Sequence, residues 1–180
     1  MNLILFGFKG SGKTHFGKLL AFTLHRPFID TDDLITELYA EQSGQQLSVR
    51  EIHQVIGEKS FRALESAAIH SLISFTDSVI ALGGGTLLNP AHVDFLRKIG
   101  QMVYLEAGFD TIQKRIFDQG IPSFVDSDDP ISSLRKIYQE RKSIFETIAA
   151  RRINTDLLDE DGVIAVLRSI IILEEPPNGC

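Results

Sequence analysis

The sequence predicts an α/β fold built on a mainly parallel sheet. Short apolar runs of strand length alternate along the 180 residues with segments whose apolar residues recur at helical spacing. Runs such as VIAL, residues 79–82, are apolar throughout, which is typical of strands covered on both faces. A chain of this length is expected to form a single domain. The predicted strands are 3–6, 28–30, 79–82, 102–105 and 152–154.

Helices are predicted after each of these strands, and most begin at a residue type that favours a helix start. The first begins near Gly12, directly after a glycine-rich loop. Serine and aspartate cap helix N-termini through their side-chain oxygens, and proline fits the first turn because its missing N–H has no helical partner there. The later helices are therefore placed near Asp32, Ser48, Pro90, Asp110, Pro130 and Asp159.

Composition and charge restrict the class of protein. A net charge of -6 and a pI near 5.3 disfavour a protein that binds nucleic acid or an anionic membrane. No run approaches the ~18 apolar residues that a membrane-spanning helix needs. The single cysteine, Cys180, has no partner for a disulfide, which fits a reducing compartment. We therefore expect a cytoplasmic protein that binds neither nucleic acid nor a membrane.

The stretch GFKGSGKT, residues 7–14, lies between the first strand and the first helix and matches the pattern G-x-x-x-x-G-K-[ST]. Glycines let backbone N–H groups turn toward a phosphate, and the helix N-terminus adds its positive end. Lys13 is placed to reach the β- and γ-phosphates, and the Thr14 hydroxyl to bind Mg²⁺. The predicted nucleotide-binding residues here are Gly10, Ser11, Gly12, Lys13, Thr14 and, next to the loop, His15.

This loop identifies a phosphate donor but not a reaction, because switches, motors and kinases share it. The sequence lacks an N-K-x-D motif, with which guanine-specific switches read the base. Its length also excludes most multidomain ATPases. A small-molecule kinase is therefore the favoured class.

Polar and glycine residues follow the second and third strands at the ends where a parallel sheet binds ligands. In FIDTDD, Asp30 and Asp32 are two residues apart, so strand alternation would point both carboxylates to one side, one toward a metal and one toward an acceptor hydroxyl. Asp32 could equally serve as the N-cap of the next helix. Gly83, Gly84 and Gly85 would let a ligand approach the backbone closely.

Two arginines are candidates for binding an anionic substrate. Arg141 interrupts the apolar stripe of the helix that begins at Pro130, so either its stem extends to water or its guanidinium enters a cleft, and the cleft is favoured. Arg62 has Glu58 and Glu65 one helical turn to either side and could instead form a surface ion pair. Together the two arginines would suit a carboxylate, which guanidinium groups bind bidentately.

Two segments lack the helix and strand patterns. The stretch at about 118–129, DQGIPSFVDSDD, has glycine, proline and clustered acids, so we predict an exposed and mobile loop. The tail, residues 174–180, is predicted to be disordered.

Taken together, these motifs resemble those of shikimate kinases. The matching segments, in the order and spacing of that family over about residues 1–172, are GFKGSGKT, the D-x-D of IDTD, GEKSFRALE, ALGGGT, VYLE, YQERKSIFETIA and INT. The resemblance implies a three-layer P-loop kinase fold of the nucleoside monophosphate kinase type, with a five-stranded parallel sheet flanked by helices. It implies one domain over residues 1–173, with a substrate-binding region at about 32–62 and a lid at about 118–129.

The resemblance also implies an activity: transfer of the γ-phosphoryl group of ATP, with Mg²⁺, to the 3-hydroxyl of shikimate, in chorismate and aromatic amino acid biosynthesis. The implied partners are ATP and shikimate, and the chain is expected to act as a monomer. On the donor side, Lys13 and Thr14 would serve the phosphates and the metal, Asp30 would support Mg²⁺ through water, and Arg115 would pack on adenine.

On the acceptor side, the resemblance assigns Asp32 to bind the shikimate hydroxyls and to orient or deprotonate the attacking one. Arg62 and Arg141 would clamp the carboxylate, and the Gly84 backbone would donate to the ring substituents. Lys13 and Asp32 are thus the expected catalytic residues. The expected substrate-binding residues are Asp32, Arg62, Gly83, Gly84, Gly85 and Arg141.

The sequence departs from the family at the lid, where an arginine usually precedes the proline and reaches the transferring phosphate. Here that position is Ile121, which cannot neutralise charge, so either another basic residue substitutes, with Lys114 and Lys136 as candidates, or turnover is slow. A smaller departure is His53, where an aromatic residue commonly lines the substrate pocket.

Three functions remain open at this stage. The first is an active shikimate kinase, and the second is a catalytically weakened protein that binds nucleotide and shikimate. The third is a kinase for another small polyol acid such as gluconate. Arg62, Arg141 and the three glycines favour shikimate over this third substrate class.

Overall fold

The computed structural model describes residues 1–122 and 124–172. Within them, five strands form one parallel sheet in the order β2-β3-β1-β4-β5, which confirms the predicted sheet. The predicted disordered tail, 174–180, and residue 123 of the predicted lid lie outside the described residues. The strands are β1 (Asn2–Phe6), β2 (Phe28–Asp30), β3 (Val79–Ala81), β4 (Gly100–Glu106) and β5 (Arg151–Asn154).

Seven helices of the described chain surround the sheet, and each begins within one residue of its predicted start. Caps explain this agreement. Ser48 and Glu51 form a reciprocal capping box before α3, and Asp129 accepts a hydrogen bond from the backbone N–H of Ser132 in α6. The helices are α1 (Lys13–Leu24), α2 (Thr31–Ser43), α3 (Val49–Ser71), α4 (Pro90–Ile99), α5 (Phe109–Phe117), α6 (Pro130–Ile148) and α7 (Glu160–Ile172).

The sheet is the middle of three layers because its strands present apolar side chains to both faces. On β1, Leu3 and Leu5 face one side and pack in a buried cluster with side chains of α1 and α7. Ile4 and Phe6 face the other side and pack with side chains of α3, α4, α5 and α6. Removing one such side chain from water stabilises the fold by about 1.5–3 kcal/mol, so these two clusters hold the sheet and helices together.

The α2–α3 unit forms a third buried cluster, beside the end of β2. It corresponds to the predicted substrate-binding region, 32–62. Gly57 interrupts α3 with a left-handed φ of 74°, which redirects the helix just before Glu58 and Arg62. No helix in the described ranges is long and apolar enough to cross a membrane.

The chain leaves β1 for β2 and β3 on one side of the sheet, then crosses to β4 and β5 on the other. A crevice outside the carboxyl ends of the strands is expected where a parallel sheet changes direction in this way. The loop 7–12 leaves β1 at this crevice, which therefore places the predicted phosphate-binding loop at the centre of the sheet edge.

Candidate active site

An open cleft of about 870 Å³ lies over the carboxyl edge of the sheet. Its walls come from segments that are distant in sequence: the loop after β1, the ends of β2, β3 and β5, and the end of α5. Predicted donor residues therefore share one cavity with Asp32, Gly83 and Gly84 of the predicted acceptor site, whereas Arg62 and Arg141 are not among the residues that line it. The cleft is lined by Lys9, Gly10, Gly12, Lys13, Thr14, His15, Phe16, Asp30, Asp32, Leu82, Gly83, Gly84, Arg115, Asp118, Gln119, Thr155, Leu158 and Glu160.

The loop after β1 has the backbone that a phosphate-binding loop requires. Gly7 has φ +149°, and a Cβ atom there would lie 2.3 Å from the Leu105 carbonyl oxygen, so only glycine fits. Gly12 has φ +97°, and a Cβ atom there would lie 2.7 Å from the Phe16 ring. These glycines turn the loop back on itself, directly before the N-terminus of α1.

Lys13 is buried beneath this loop, although its side chain ends in a charge. Its ammonium group donates to the carbonyl oxygens of Gly7 at 3.1 Å and Phe8 at 2.9 Å. Burial lowers the pKa of Lys13 to about 8, against the opposing effect of the Asp32 and Asp30 carboxylates, which raise it. The cleft therefore offers a poorly hydrated cation, which a phosphate would stabilise.

Asp30 organises the hydroxyl and backbone groups beside Lys13. Its Oδ2 accepts a hydrogen bond from the Thr14 hydroxyl at 2.9 Å, and its Oδ1 accepts one from the backbone N–H of Asp32 at 3.1 Å. Asp30, and not Asp32, is therefore the N-cap of α2, which corrects the N-cap alternative for Asp32. The prediction that strand alternation points both carboxylates to one side is also wrong, because β2 ends at Asp30 and Asp32 lies in the first turn of α2.

Oxygen ligands on Thr14 and Asp30 are of the kind that Mg²⁺ prefers. Their side chains already lie within hydrogen-bond distance of each other, beside Lys13. No group of three or more His, Cys, Asp or Glu side chains in the described part of the chain could hold a metal alone. The donor set therefore suits an ion that keeps its water and nucleotide phosphate ligands.

The Asp32 carboxylate lies in the cleft, where solvent reaches it but protein atoms surround it on several sides. Burial, together with the negative charge of Asp30, raises the pKa of Asp32 to about 6, while Lys13 opposes the shift. A carboxylate with this pKa is mostly ionised at pH 7 and is still basic enough to accept a proton. These are the properties of a general base.

Two guanidinium groups lie beside the consecutive glycines that follow β3. Arg141 donates from Nη1 to the Gly84 carbonyl oxygen at 3.2 Å. A Cβ atom at Gly84 would lie 3.8 Å from that same Nη1, and one at Gly85 would lie 4.0 Å from Nη1 of Arg62. The absence of side chains at Gly84 and Gly85 thus leaves space for both guanidinium groups next to this part of the backbone.

Each arginine is held by different partners. Arg62 donates to Glu58 at 2.7 Å and to Glu65 at 2.8 Å. Burial disfavours the charge of Arg62, but these hydrogen bonds outweigh that effect and raise its pKa. The ion pair proposed for Arg62 therefore exists, with Glu65 buried and holding the guanidinium in place.

Arg141 is less well neutralised than Arg62. Burial lowers the pKa of Arg141, and the neighbouring positive charge of Arg62 lowers it further. Its guanidinium also lies 5.5 Å from the centroid of the Phe8 ring and 5.6 Å from that of Phe124. Two nearby cations, one of them without a carboxylate at hydrogen-bond distance among the described residues, form a site that an anion would stabilise.

Several predicted residues are placed differently from the expectation. Ser11 is fully buried, and its hydroxyl has no hydrogen-bond partner among the described residues. The Gly83 N–H donates to the Thr31 hydroxyl at 2.8 Å, so it is not available to a ligand. Gly85 does not line the cleft, whereas His15 does and contacts Glu160 through its Nε2. His53 contacts Glu58.

The structure also shows cleft residues that the sequence patterns did not single out. Lys9 lies within the loop itself, at one of its variable positions. Leu158 and Thr155 follow β5 and line the same cleft as Arg115, which donates to the Gly10 carbonyl oxygen at 2.8 Å. Their position after the carboxyl end of a parallel strand was the available signal.

The family model described as shikimate kinase matches residues 9–171 of this chain. A shikimate kinase of Caldicellulosiruptor bescii is 32% identical over 174 residues, which cover 97% of each chain. One of Caldanaerobacter subterraneus subsp. tengcongensis is 38% identical over 144 residues, 80% of this chain and 81% of that protein.

Solved structures agree with these sequence matches. Shikimate kinase from Acinetobacter baumannii in complex with shikimate superimposes with a TM-score of 0.82 at 26% identity, covering 98% of this chain and 95% of that one. Shikimate kinase from Aquifex aeolicus gives a TM-score of 0.71 at 26% identity, covering 97% and 96%. The predicted kinase fold is thereby confirmed, and the chain belongs to the shikimate kinase family.

Proposed function

We propose that this protein transfers the γ-phosphoryl group of ATP to the 3-hydroxyl of shikimate. The observation that carries the proposal is the pair of arginines, Arg62 and Arg141, beside the glycines after β3, because Gly83 and Gly84 line the same cleft as the phosphate-binding loop. The loop suits a nucleotide, and the arginine pair suits a carboxylate on a small acceptor. Family membership supports the same pair of substrates and the kinase class of enzyme.

On the donor side, Gly10, Gly12 and the N-terminus of α1 would surround the phosphates, with Lys13 at the β- and γ-phosphates. Thr14 and Asp30 would hold Mg²⁺, which supplies charge neutralisation at the phosphates when it is bound. Arg115, Leu158 and Thr155 line the part of the cleft beyond the loop. We assign the adenine ring to them because an apolar side chain and a guanidinium plane suit a flat aromatic ring.

On the acceptor side, Arg62 and Arg141 would bind the carboxylate of shikimate. Asp32 would accept a hydrogen bond from the 3-hydroxyl and turn its oxygen toward the γ-phosphorus. As the new O–P bond forms, the hydroxyl proton passes to a carboxylate oxygen of Asp32, and the bond between the γ-phosphorus and the β,γ-bridging oxygen breaks to release ADP. The main contribution to catalysis would be positioning, because the protein would hold the γ-phosphate and the 3-hydroxyl next to each other between Lys13 and Asp32.

The remaining predictions about organisation stay proposals. We assign residues 32–62 to acceptor binding, since Asp32 and Arg62 lie at the two ends of that region. We assign residues 118–129 to a lid because Asp118 and Gln119 line the cleft at its beginning. A single domain over 1–173, a monomeric state and a cytoplasmic location remain predictions.

An assay of ADP formation tests the proposed function. Purified protein is supplied with MgATP and with shikimate, gluconate or a nucleoside monophosphate as acceptor. We expect ADP to form rapidly with shikimate only. Preference for gluconate would support the alternative kinase, and binding of ATP and shikimate without turnover would support the weakened binding protein. No specific observation among the described residues favours either alternative.

The pH dependence follows from the pKa values of Asp32 and Lys13. A general base acts only when deprotonated, so kcat/KM for ATP should fall as the pH drops through about 6, the raised pKa of Asp32. Lys13 acts only when charged, so kcat/KM should also fall as the pH rises through about 8. We expect a bell-shaped profile with its maximum near pH 7. An acid limb near pH 4, the ordinary range of aspartate, would show that the pKa of the catalytic base is not raised in the free enzyme.

Replacing Arg141 with alanine should raise the KM for shikimate by at least about tenfold, because a charge-assisted contact worth ~1.5–3 kcal/mol is lost. The KM for ATP should stay within about threefold of its original value. Arg168→Ala, which removes an exposed arginine of α7 outside the cleft, is the matched control. Steady-state kinetics with each substrate varied in turn measures both constants, and an unchanged shikimate KM would remove Arg141 from the acceptor site.

A further inference from the structure

The predicted lid supplies no cation to the cleft. Its stretch 118–129 contains no lysine or arginine in the sequence. Ile121 is 55% exposed, and both substitutes suggested by the sequence, Lys114 and Lys136, are exposed and lie outside the cleft lining. Arg135 is also directed elsewhere, since its guanidinium lies 3.9 Å from the centroid of the Phe109 ring. In an active kinase, the positive charge that an arginine of the lid usually supplies would therefore come from another part of the cleft.

Two cations that line the cleft, and a third beside its glycines, already donate to backbone carbonyl oxygens. Lys13 donates to Gly7 and Phe8, Arg115 donates to Gly10, and Arg141 donates to Gly84. Lys13 and Arg115 line the cleft, and Arg141 lies beside Gly84. Each position fits a role already described, in phosphate, adenine or carboxylate binding.

Lys9 differs from these three residues. It lines the cleft from within the phosphate-binding loop, its side chain is exposed, and no residue in 1–122 or 124–172 forms a hydrogen bond or an ion pair with its ammonium group. Its backbone also lies against the acceptor side, because a Cβ atom built at Gly84 would be 3.2 Å from the Lys9 nitrogen and 3.8 Å from its Cα atom. Lys9 thus stands where the donor loop meets the glycines of the acceptor site.

In the transition state of phosphoryl transfer, negative charge is spread over the three equatorial oxygens of the transferred group. In the proposed reaction this group passes from the loop to the hydroxyl held by Asp32, and Asp32 and Lys9 line the same cleft. A lysine side chain has a flexible four-carbon stem and a compact charge, so its ammonium group can stay close to those oxygens as they move during transfer. Lys9 and Lys13 already influence each other, since the charge of Lys9 contributes to lowering the pKa of Lys13. A shared phosphate would relieve this repulsion.

We propose that Lys9 is a catalytic residue of the donor loop, whose ammonium group neutralises the transferring phosphoryl group in place of a lid arginine. The proposal rests on the proposed function, because it concerns the same phosphoryl group. It predicts that the chain is fully active despite Ile121, and that charge at position 9 and charge at position 121 can replace one another.

The test is a set of variants assayed for shikimate phosphorylation. Lys9→Met keeps the length and apolar stem of the side chain and removes its charge. We expect kcat to fall by about 10²-fold, as on removing one donor that stabilises transition-state charge, with the shikimate KM within about threefold. Lys9→Arg should keep kcat within about tenfold. Lys98→Met, at an exposed site in the last turn of α4, is the control for loss of a surface lysine.

The double variant Lys9→Met with Ile121→Arg separates a catalytic charge from a structural role. We expect it to regain at least about tenfold of the lost kcat, whereas Ile121→Arg alone should change kcat by less than about threefold. The proposal is overturned if Lys9→Met keeps its kcat, if Lys114→Met or Lys136→Met lowers kcat equally, or if Ile121→Arg alone raises kcat strongly. Absence of shikimate turnover in the unmodified protein would instead contradict the proposed function.

Discussion

Replacing Lys13 with methionine is expected to reduce kcat for shikimate phosphorylation by about 10³-fold. The ammonium group of Lys13 is buried and is held by the carbonyl oxygens of Gly7 and Phe8. Because burial lowers its pKa to about 8, its charge is poorly stabilised in the free protein and well stabilised by a phosphate. Methionine fills the same space without charge, so transition-state stabilisation is lost while the loop keeps its packing.

Steady-state kinetics and nucleotide titration measure this effect together. We expect ATP binding to weaken less than kcat falls, because the glycine backbone and Arg115 remain. Circular dichroism and thermal melting establish that the Lys13→Met variant is folded. A Lys13→Met variant with kcat within tenfold of the unmodified protein would show that this lysine does not act on the transferring group.

Replacing Asp32 with asparagine is expected to lower kcat by about 10²–10⁴-fold. Asparagine has nearly the same shape and still hydrogen-bonds to a hydroxyl, but it cannot accept the proton. Asp30 would still cap α2, since it accepts its hydrogen bond from the backbone N–H of residue 32. The shikimate KM should therefore change much less than kcat.

Asp33→Asn provides a matched control for this experiment, because Asp33 is an exposed aspartate in the same helical turn and does not line the cleft. It should keep kcat within about threefold. The residual activity of Asp32→Asn should also lose the acid limb near pH 6. If Asp32→Asn retains most of its kcat, or retains that limb, another group accepts the proton.

The fold was predictable because its signals are local. Helix starts followed from short-range capping, as at Ser48 and Asp129, and the strands followed from apolar runs buried on both faces. β4 was predicted too short: it extends over Gly100–Glu106 because its first residues pair with β1 and its last residues pair with β5. Backbone pairing does not depend on apolar side chains, so periodicity could not show the polar ends of that strand.

The site was predictable where a motif or an unusual residue marked it. Lys13, Thr14 and Asp30 were found by pattern, and Arg141 by its place in an apolar stripe. Asp32 was found for a reason that the structure corrects, since it faces the cleft from the first turn of α2 and not by strand alternation. The match to the shikimate kinase family confirms the family and the kinase class, while the roles of these residues remain proposals.

The remaining site residues depend on tertiary contacts that local patterns do not contain. Local sequence did not single out Lys9, because its place beside the acceptor site depends on Gly84, 75 positions later in the chain, which lies against its backbone. Leu158 lines the cleft only because β5 ends beside β4 at the edge of the sheet. Glu65 holds Arg62 from a buried position that its sequence context, a charged helix, did not predict.

Identification of the reaction product is the most direct test of the central claim. The purified protein is incubated with MgATP and shikimate, and the product is examined by ³¹P and ¹H NMR. We predict equimolar ADP and a single phosphate ester whose phosphorus couples to the proton on C3 of shikimate. A phosphate on another hydroxyl, or ADP released with inorganic phosphate and unmodified shikimate, would contradict the account of how Asp32, Arg62 and Arg141 orient the acceptor.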